Sequence, residues 1–435
     1  MIKFKYKFEK EKLNNKNKKH FMMLEIKGCK KDKKQQNKRK KLNIAFALDI
    51  SGSMGNHISS NLKHIGLGLR QELSFNQSAK SKLDLVKEAT LNAIDNMKDG
   101  DLVSLVTFDS QVDVISTPIE LNESSRKEIK TIINNIRVRG MTNLHGGWLE
   151  ACEQVAQNLD SKYLNRVIVL TDGQTNIGET NNDVIVSDVL ALSKKGISTT
   201  TFGVGEDFNE TLLEAMSNSG SGNFYFIEKS EDFLNTFSEE FEGMSNIVGF
   251  EPKISFILND GFKVTENLNG YVFENGAYSI PDIRSEKNLK VLFKIKSKDF
   301  KVAGQHDIGY VTLTYKDDKG KEIVRSQVLI AHAVENKEWK KLEINEDVES
   351  EKIIINVAKE KEKAMEAIRS GNLELGKSIL RGSNEYIQVS GLNNPMLMAE
   401  TQALNSSIDS IGEKSNANML KDLHYQAYRS KTSKN

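Results

Sequence analysis

Cysteine is scarce: Cys29 and Cys152 are the only two among 435 residues. That is too few for a disulfide framework, and free thiols suit a reducing compartment. Long apolar runs are missing as well. No stretch approaches the roughly 18 residues that a membrane-spanning helix needs. The lysine-interrupted start also lacks the apolar segment of a signal peptide. These absences lead to the expectation of a soluble, cytoplasmic protein. No Ser/His/Asp or Cys/His set is legible either, and Cys152 falls in mid-helix, which argues against nucleophilic catalysis.

The composition, 38% hydrophobic and 28% charged, is that of a globular chain long enough for two or three domains. Its net charge of +1 hides an asymmetry. Residues 1–41 hold sixteen lysines, one arginine and four acids, so the remainder carries a net −12. A basic head of this kind reads either as a nucleic-acid or anionic-membrane patch or as a solvated segment. Ile2, Phe4, Tyr6 and Phe8 alternate with Lys3, Lys5 and Lys7, the two-residue period of a half-buried strand with lysines on its wet face. A second strand is expected over His20 to Lys27, leaving Lys30 to Lys41 as an exposed connector.

From Leu42 the texture changes. The apolar runs LNIAFALDI, DLVSLVTFD, NRVIVLTDG, ISTTTFGVG and NFYFI alternate with amphipathic, helix-length segments. This pattern predicts an α/β domain over 42–247, a doubly wound, mostly parallel sheet covered on both faces. From Phe250 the helical period vanishes, and turn-separated strands predict an antiparallel β unit over 248–340, with DDKG as a hairpin turn. Residues 345–435 read as helices that begin with an antiparallel pair.

In such a sheet, ligands bind beyond the carboxyl ends of the strands. The first of these strands ends in ALDISGSMG, which puts Asp49, Ser51 and Ser53 at its tip and in the loop that follows. Alone, this pattern is also that of a helix cap or tight turn. Two further loops point to the same edge. GMTNLHGG places Thr142 just before a helix, and VIVLTDGQTN places Asp172 at the tip of another buried strand. Two carboxylates and three hydroxyls form a set of hard oxygens suited to Mg²⁺. A site rich in neutral hydroxyls leaves the ion under-neutralised and receptive to an anion.

The three loops together resemble the metal-ion-dependent adhesion site of the von Willebrand factor type A domain family, over about Leu42 to Ile247. The resemblance implies Ser51, Ser53 and Thr142 as direct ligands of Mg²⁺, or of Mn²⁺ or Ca²⁺ in its place. It implies Asp49 and Asp172 acting mainly through water. It also implies a vacant position for an Asp or Glu carboxylate from a protein partner. The flanking segments are similar to bacterial relatives in which the type A domain is inserted into a β-sandwich, so the N-terminal strands should pair with those after Phe250. Bacterial type A proteins often work beside chelatase-type ATPases or kinase and phosphatase modules, which makes these the partner classes implied.

One departure from the family pattern is the insertion Asn56 to Lys80, which reads equally as a recognition loop or lid and as a passive insertion. His57, His64 and His145 lie near the site in sequence and read as loop or helix-start residues more readily than as ligands. GNLELGKS, Gly371 to Ser378, matches a phosphate-loop pattern but follows a charged amphipathic helix rather than a buried strand. It is better read as a turn between helices with Gly371 as the cap. The function expected is therefore Mg²⁺-dependent capture of an acidic side chain. The rivals are a Mg²⁺-dependent phosphohydrolase, disfavoured because Ser51 stands where a second acid belongs, and nucleic-acid binding through residues 1–41.

Overall fold

The structure, a computed structural model, describes residues 2–16, 19–30, 39–57, 80–205, 207–227, 230–297, 304–412 and 416–432. Most of the insertion, with His64, and residues 31–38 of the lysine-rich connector lie outside the described residues. The chain divides into two units, Arg39–Ser245 and a second assembled from Met1–Lys38 with Asn246–Asn435.

In the Arg39–Ser245 unit, six strands alternate with helices. They are β1 (Lys41–Asp49), β2 (Leu102–Phe108), β3 (Val112–Glu120), β4 (Tyr163–Thr171), β5 (Ser198–Val204) and β6 (Ser221–Ile227). The helices are α1 (Lys82–Asn96), α2 (Glu123–Asn135), α3 (Leu144–Ala156), α4 (Asn182–Lys194), α5 (Glu210–Ser219) and α6 (Ser230–Ser245). The sheet order is β3-β2-β1-β4-β5-β6. All pairs are parallel except β2 with β3. The antiparallel edge strand β3 was not anticipated from sequence. No residue of its VDVISTPIE is fully buried, and it contains Pro118, which an edge strand tolerates.

β5, STTTFGV, shows how a polar run can be a core strand. Its residues alternate between the two faces. Thr200 hydrogen-bonds Glu240 of α6, and Phe202 packs on Phe233 and Phe237 of the same helix. On the opposite face, Thr199 accepts from the Trp148 indole of α3 at 3.0 Å, and Thr201 donates to the Leu213 carbonyl of α5 at 2.8 Å. Each buried hydroxyl thus has a partner, as burial requires.

Glu240 is itself fully buried and clamps three strands. It accepts from Arg166 of β4 at 2.9 Å, Thr200 of β5 at 3.1 Å, and Asn223 and Tyr225 of β6, both at 2.6 Å.

The other unit contains two antiparallel-rich sheets that share one apolar core. One runs in the order Ile2–Phe8, Lys19–Gly28, Asn288–Ser297, Phe262–Asn267. Of the two N-terminal strands expected to pair with those after Phe250, Lys19–Gly28 does so, on Asn288–Ser297, and Ile2–Phe8 pairs with Lys19–Gly28 at the sheet edge. The second is built mainly on Ile247–Leu258, Gly304–Lys316 and Glu322–Val334. Several N-terminal lysines sit in ion pairs: Lys5 and Lys7 flank Glu25 of the neighbouring strand at 2.7 and 2.9 Å, and Lys7 also reaches Asp347.

After a short helix, Asn336–Trp339, four longer helices, Glu346–Arg369, Leu373–Val389, Pro395–Ser410 and Asn416–Thr432, gather around a shared core. The phosphate-loop look-alike lies in the first helical turn-over. Gly371 takes φ +84° between two helices, and a Cβ on Gly376 would come within 2.6 Å of Ile368. These glycines serve a turn and a close helix contact.

Removing Glu240 would leave the buried Arg166 guanidinium without this carboxylate. Glu240→Ala should therefore lower the unfolding free energy by on the order of 3–5 kcal/mol, read by denaturant unfolding. Glu240→Gln, which keeps acceptor and shape, should lose less.

Candidate functional site

The chain runs from β1 to β2 on one side of the central strand, then returns to β4 on its other side. The carboxyl end of β1 is therefore the point at which the winding reverses, where a crevice opens in folds of this kind. Asp49 is the last residue of β1. Asp172 follows directly on β4, which is paired with β1 up to Leu48 opposite Leu170. Two carboxylates thus emerge side by side, and neither is exposed to solvent.

Short loops gather the hydroxyls around them. The Asp49 carboxylate accepts from the Ser51 amide at 2.9 Å and from the Thr171 hydroxyl at 2.5 Å, which turns the chain sharply after the strand. Ser51 Oγ then lies 3.1 Å from Ser53 Oγ, and Ser53 donates to Asp172 Oδ1 at 2.7 Å. The Thr142 loop is held against the first loop by Arg139 N to Ile50 O at 2.7 Å and Gly52 N to Gly140 O at 3.1 Å. The Thr142 amide is fixed by Asn176 Oδ1 at 2.9 Å. A Cβ on Gly173 would meet the Thr142 hydroxyl at 2.9 Å, so glycine beside Asp172 leaves that hydroxyl its space. The five residues singled out from sequence lie on three loops joined by these bonds.

The donor set fits a hard divalent cation. Oxygens on adjacent corners of a Mg²⁺ octahedron lie about 3 Å apart, since the bonds are about 2.1 Å long. The Ser51–Ser53 oxygen separation of 3.1 Å is of that size. No group of three or more His, Cys, Asp or Glu suited to a metal occurs among the described residues.

Sequence reasoning missed one member of the site. Lys82, the first residue of α1, has a side chain only 5% exposed, and its ammonium donates to Asp172 Oδ2 at 2.7 Å. It also lies 3.7 Å from Asp207. The signal was present: Ser81 and Asp84 form a reciprocal capping box, which marks the helix start and places Lys82 at its first position. What hid it was the insertion between Ser53 and that start. The ends of the insertion are drawn together, with Lys82 N donating to Asn56 O at 2.9 Å and His57 bridged to Ser81.

The remaining candidates fall elsewhere. His145 bonds Asp188 of α4 at 3.0 Å. Cys152 is buried in α3, and burial pushes its thiol pKa up, away from reactivity.

Residues 43–240 match the von Willebrand factor type A domain family, and the Arg39–Ser245 unit has the fold of such a domain. Among curated relatives, YfbK of Escherichia coli (strain K12) is 23% identical over 58% of this chain and 41% of its own length. The protein sll0103 of Synechocystis sp. (strain ATCC 27184 / PCC 6803 / Kazusa) is 23% identical over 64% of this chain and 63% of its own. Inter-alpha-trypsin inhibitor heavy chain H3 of Rattus norvegicus is 22% identical over 57% and 26%. The chain thus spans less than two thirds of each of these relatives. Among solved structures, a von Willebrand factor type A protein from Catenulispora acidiphila is similar with a TM-score of 0.72 at 15% identity, over 99% of this chain and 96% of that one. The ArnB paralog VWA2 from Sulfolobus acidocaldarius gives 0.60 at 15% identity, over 99% and 98%. These likenesses concern the fold. No helix among the described residues is long and apolar enough to cross a membrane.

Burial, reinforced by the Asp172 charge, pushes the Asp49 pKa up to about 6, against the opposing hydrogen bonds from Thr171 and Ser51. Between the unfolded value of 3.8 and about 6 the folded state holds a proton that the unfolded chain has lost. This group's contribution to stability is therefore full below 3.8 and is lost as pH rises through 6. In divalent-free buffer, acidification from pH 7 to pH 5 should stabilise the wild type relative to Asp49→Asn by on the order of 1–2 kcal/mol. Unfolding curves of the two proteins at both pH values check this; parallel behaviour would refute it.

Proposed function

We propose that the type A unit is a protein-interaction module that captures an acidic side chain of a partner protein through Mg²⁺ held at the β1 and β4 tips. The observation that carries this reading is the Ser51–Ser53 hydroxyl pair, spaced like an octahedron edge and hydrogen-bonded to Asp172, at the point where the sheet's winding reverses.

Ser51, Ser53 and Thr142 would hold the ion by their hydroxyls. Asp49 and Asp172 would steady it through water while orienting the serines. When bound, the ion supplies a positive centre that neutral hydroxyls only partly satisfy, and a partner's Asp or Glu carboxylate completes it. Asp49 keeps the first loop folded through the Ser51 amide. Asn176 and the Gly52 to Gly140 bond keep Thr142 at the same edge.

The set does not favour phosphoester hydrolysis. Asp49 already accepts hydrogen bonds from Thr171 and Ser51, and the residue two positions on is Ser51, where a second acid would be wanted. Nucleic-acid binding through the basic head is disfavoured by the placement of Lys5 and Lys7 in ion pairs within a sheet.

Calorimetric titration of the full chain with MgCl₂ should show one bound equivalent, and Ser53→Ala should weaken it by roughly tenfold to a hundredfold without unfolding the protein. A partner bound in Mg²⁺ should be released by EDTA and should fail to bind Ser53→Ala. Equal Mg²⁺ affinity in wild type and Ser53→Ala would remove the mechanism.

A further inference from the structure

The Lys82 ammonium is out of place in a site meant only to attract a cation. It is buried at the β4 tip, 2.7 Å from Asp172 Oδ2, while Oδ1 of the same carboxylate accepts from Ser53. One carboxylate is thus divided between a fixed positive charge and the hydroxyl cluster.

The lysine is held there from both ends. Its backbone amide closes the neck of the insertion on Asn56 O. Its methylene stem passes over Gly205, φ +79°, where a Cβ would lie 2.8 Å from Lys82 Cε. The other acid near it, Asp207, is 3.7 Å away, with a side chain 69% exposed and therefore well screened by solvent.

We propose that Lys82 is a positioning residue that makes cation binding depend on the partner's carboxylate. The inference rests on the metal-capture reading above. Charge counting gives the mechanism. Asp49 and Asp172 place two negative charges at the buried strand tips, enough alone to neutralise a divalent cation. Lys82 cancels one of them, so the site with a divalent ion bound carries about one net positive charge in a poorly screened place. An incoming carboxylate removes that excess.

Lys82 therefore weakens the binding of Mg²⁺ alone and strengthens the coupling between Mg²⁺ and an acidic ligand, a reciprocal effect by linkage. In the metal-free protein the same ammonium prevents Asp172 from standing as an uncompensated buried charge. The site is thereby stable when empty and holds its ion firmly only with a partner attached.

The test is calorimetric titration of the full chain with MgCl₂, with and without excess acetate as the carboxylate probe, together with thermal melts. Wild type, Lys82→Met and Lys82→Arg are compared, with Lys82→Gln as a second neutral variant in case the methionine protein does not fold. Metal-free Lys82→Met should melt below wild type, yet bind Mg²⁺ alone at least tenfold more tightly and show the larger rise in Tm on adding Mg²⁺. Acetate should tighten Mg²⁺ binding several-fold in wild type and in Lys82→Arg, and clearly less in the neutral variants.

Equal or weaker Mg²⁺ binding by the neutral variants would reduce Lys82 to a structural ion pair and overturn the proposal. So would a wild-type Mg²⁺ affinity that acetate leaves unchanged. Failure of the wild type to bind Mg²⁺ at all is a distinct result, and it overturns the metal reading on which the proposal stands.

Discussion

Two carboxylates without solvent, Asp49 and Asp172, stand at adjacent strand tips, and much of the local construction follows from that constraint. Burial, with a like charge close by, disfavours the ionised form of Asp49. The protein answers with different means for each. Asp49 is given hydrogen bonds from Thr171 and Ser51, which do not fully offset its burial. Asp172 is given a full counter-charge in Lys82 and a hydroxyl in Ser53. The asymmetry separates their roles: Asp49 shapes the first loop, and Asp172 links that loop to α1.

A site on three loops needs a scaffold that fixes the relative height of the strand tips, and the far side of the sheet supplies it. Glu240, reaching from α6 to Arg166, Thr200, Asn223 and Tyr225, ties β4, β5 and β6 together by charged and short hydrogen bonds. On the near face, Gly147 lets α3 approach so closely that a Cβ there would lie 2.3 Å from the Phe108 ring. That contact sets the start of α3, and with it Thr142 two residues upstream of the helix. Packing of helices on the sheet thus decides where the hydroxyls stand.

The α/β architecture was legible because its strands are fully buried and its helices strongly patterned, so period and length agreed. The edge strand β3 was not, since half-burial of VDVISTPIE blurs its alternation. The loop residues Asp49, Ser51, Ser53, Thr142 and Asp172 could be picked out because each follows an apolar strand or precedes a helix cap. Lys82 escaped for a different reason: sequence separation from the strand tip measures chain length, whereas its position is set by where α1 begins. Gly376 and Lys377, conversely, carried a motif whose meaning depends on context, and a helix pair supplies the wrong one.

The insertion illustrates the same distinction energetically. Closing a loop costs free energy that grows only as the logarithm of its length, so twenty-odd residues between Asn56 and Lys80 add little if the ends are fixed. They are fixed by the Lys82 amide on Asn56 O and by the His57–Ser81 bridge. The Ser81–Asp84 capping box then starts α1 independently of what precedes it. The strand tip and the helix start therefore keep a close relation through a staple at the neck, and the ammonium that faces Asp172 is part of the residue that makes this staple. A change at Lys82 therefore reaches the neck and the oxygen cluster at once.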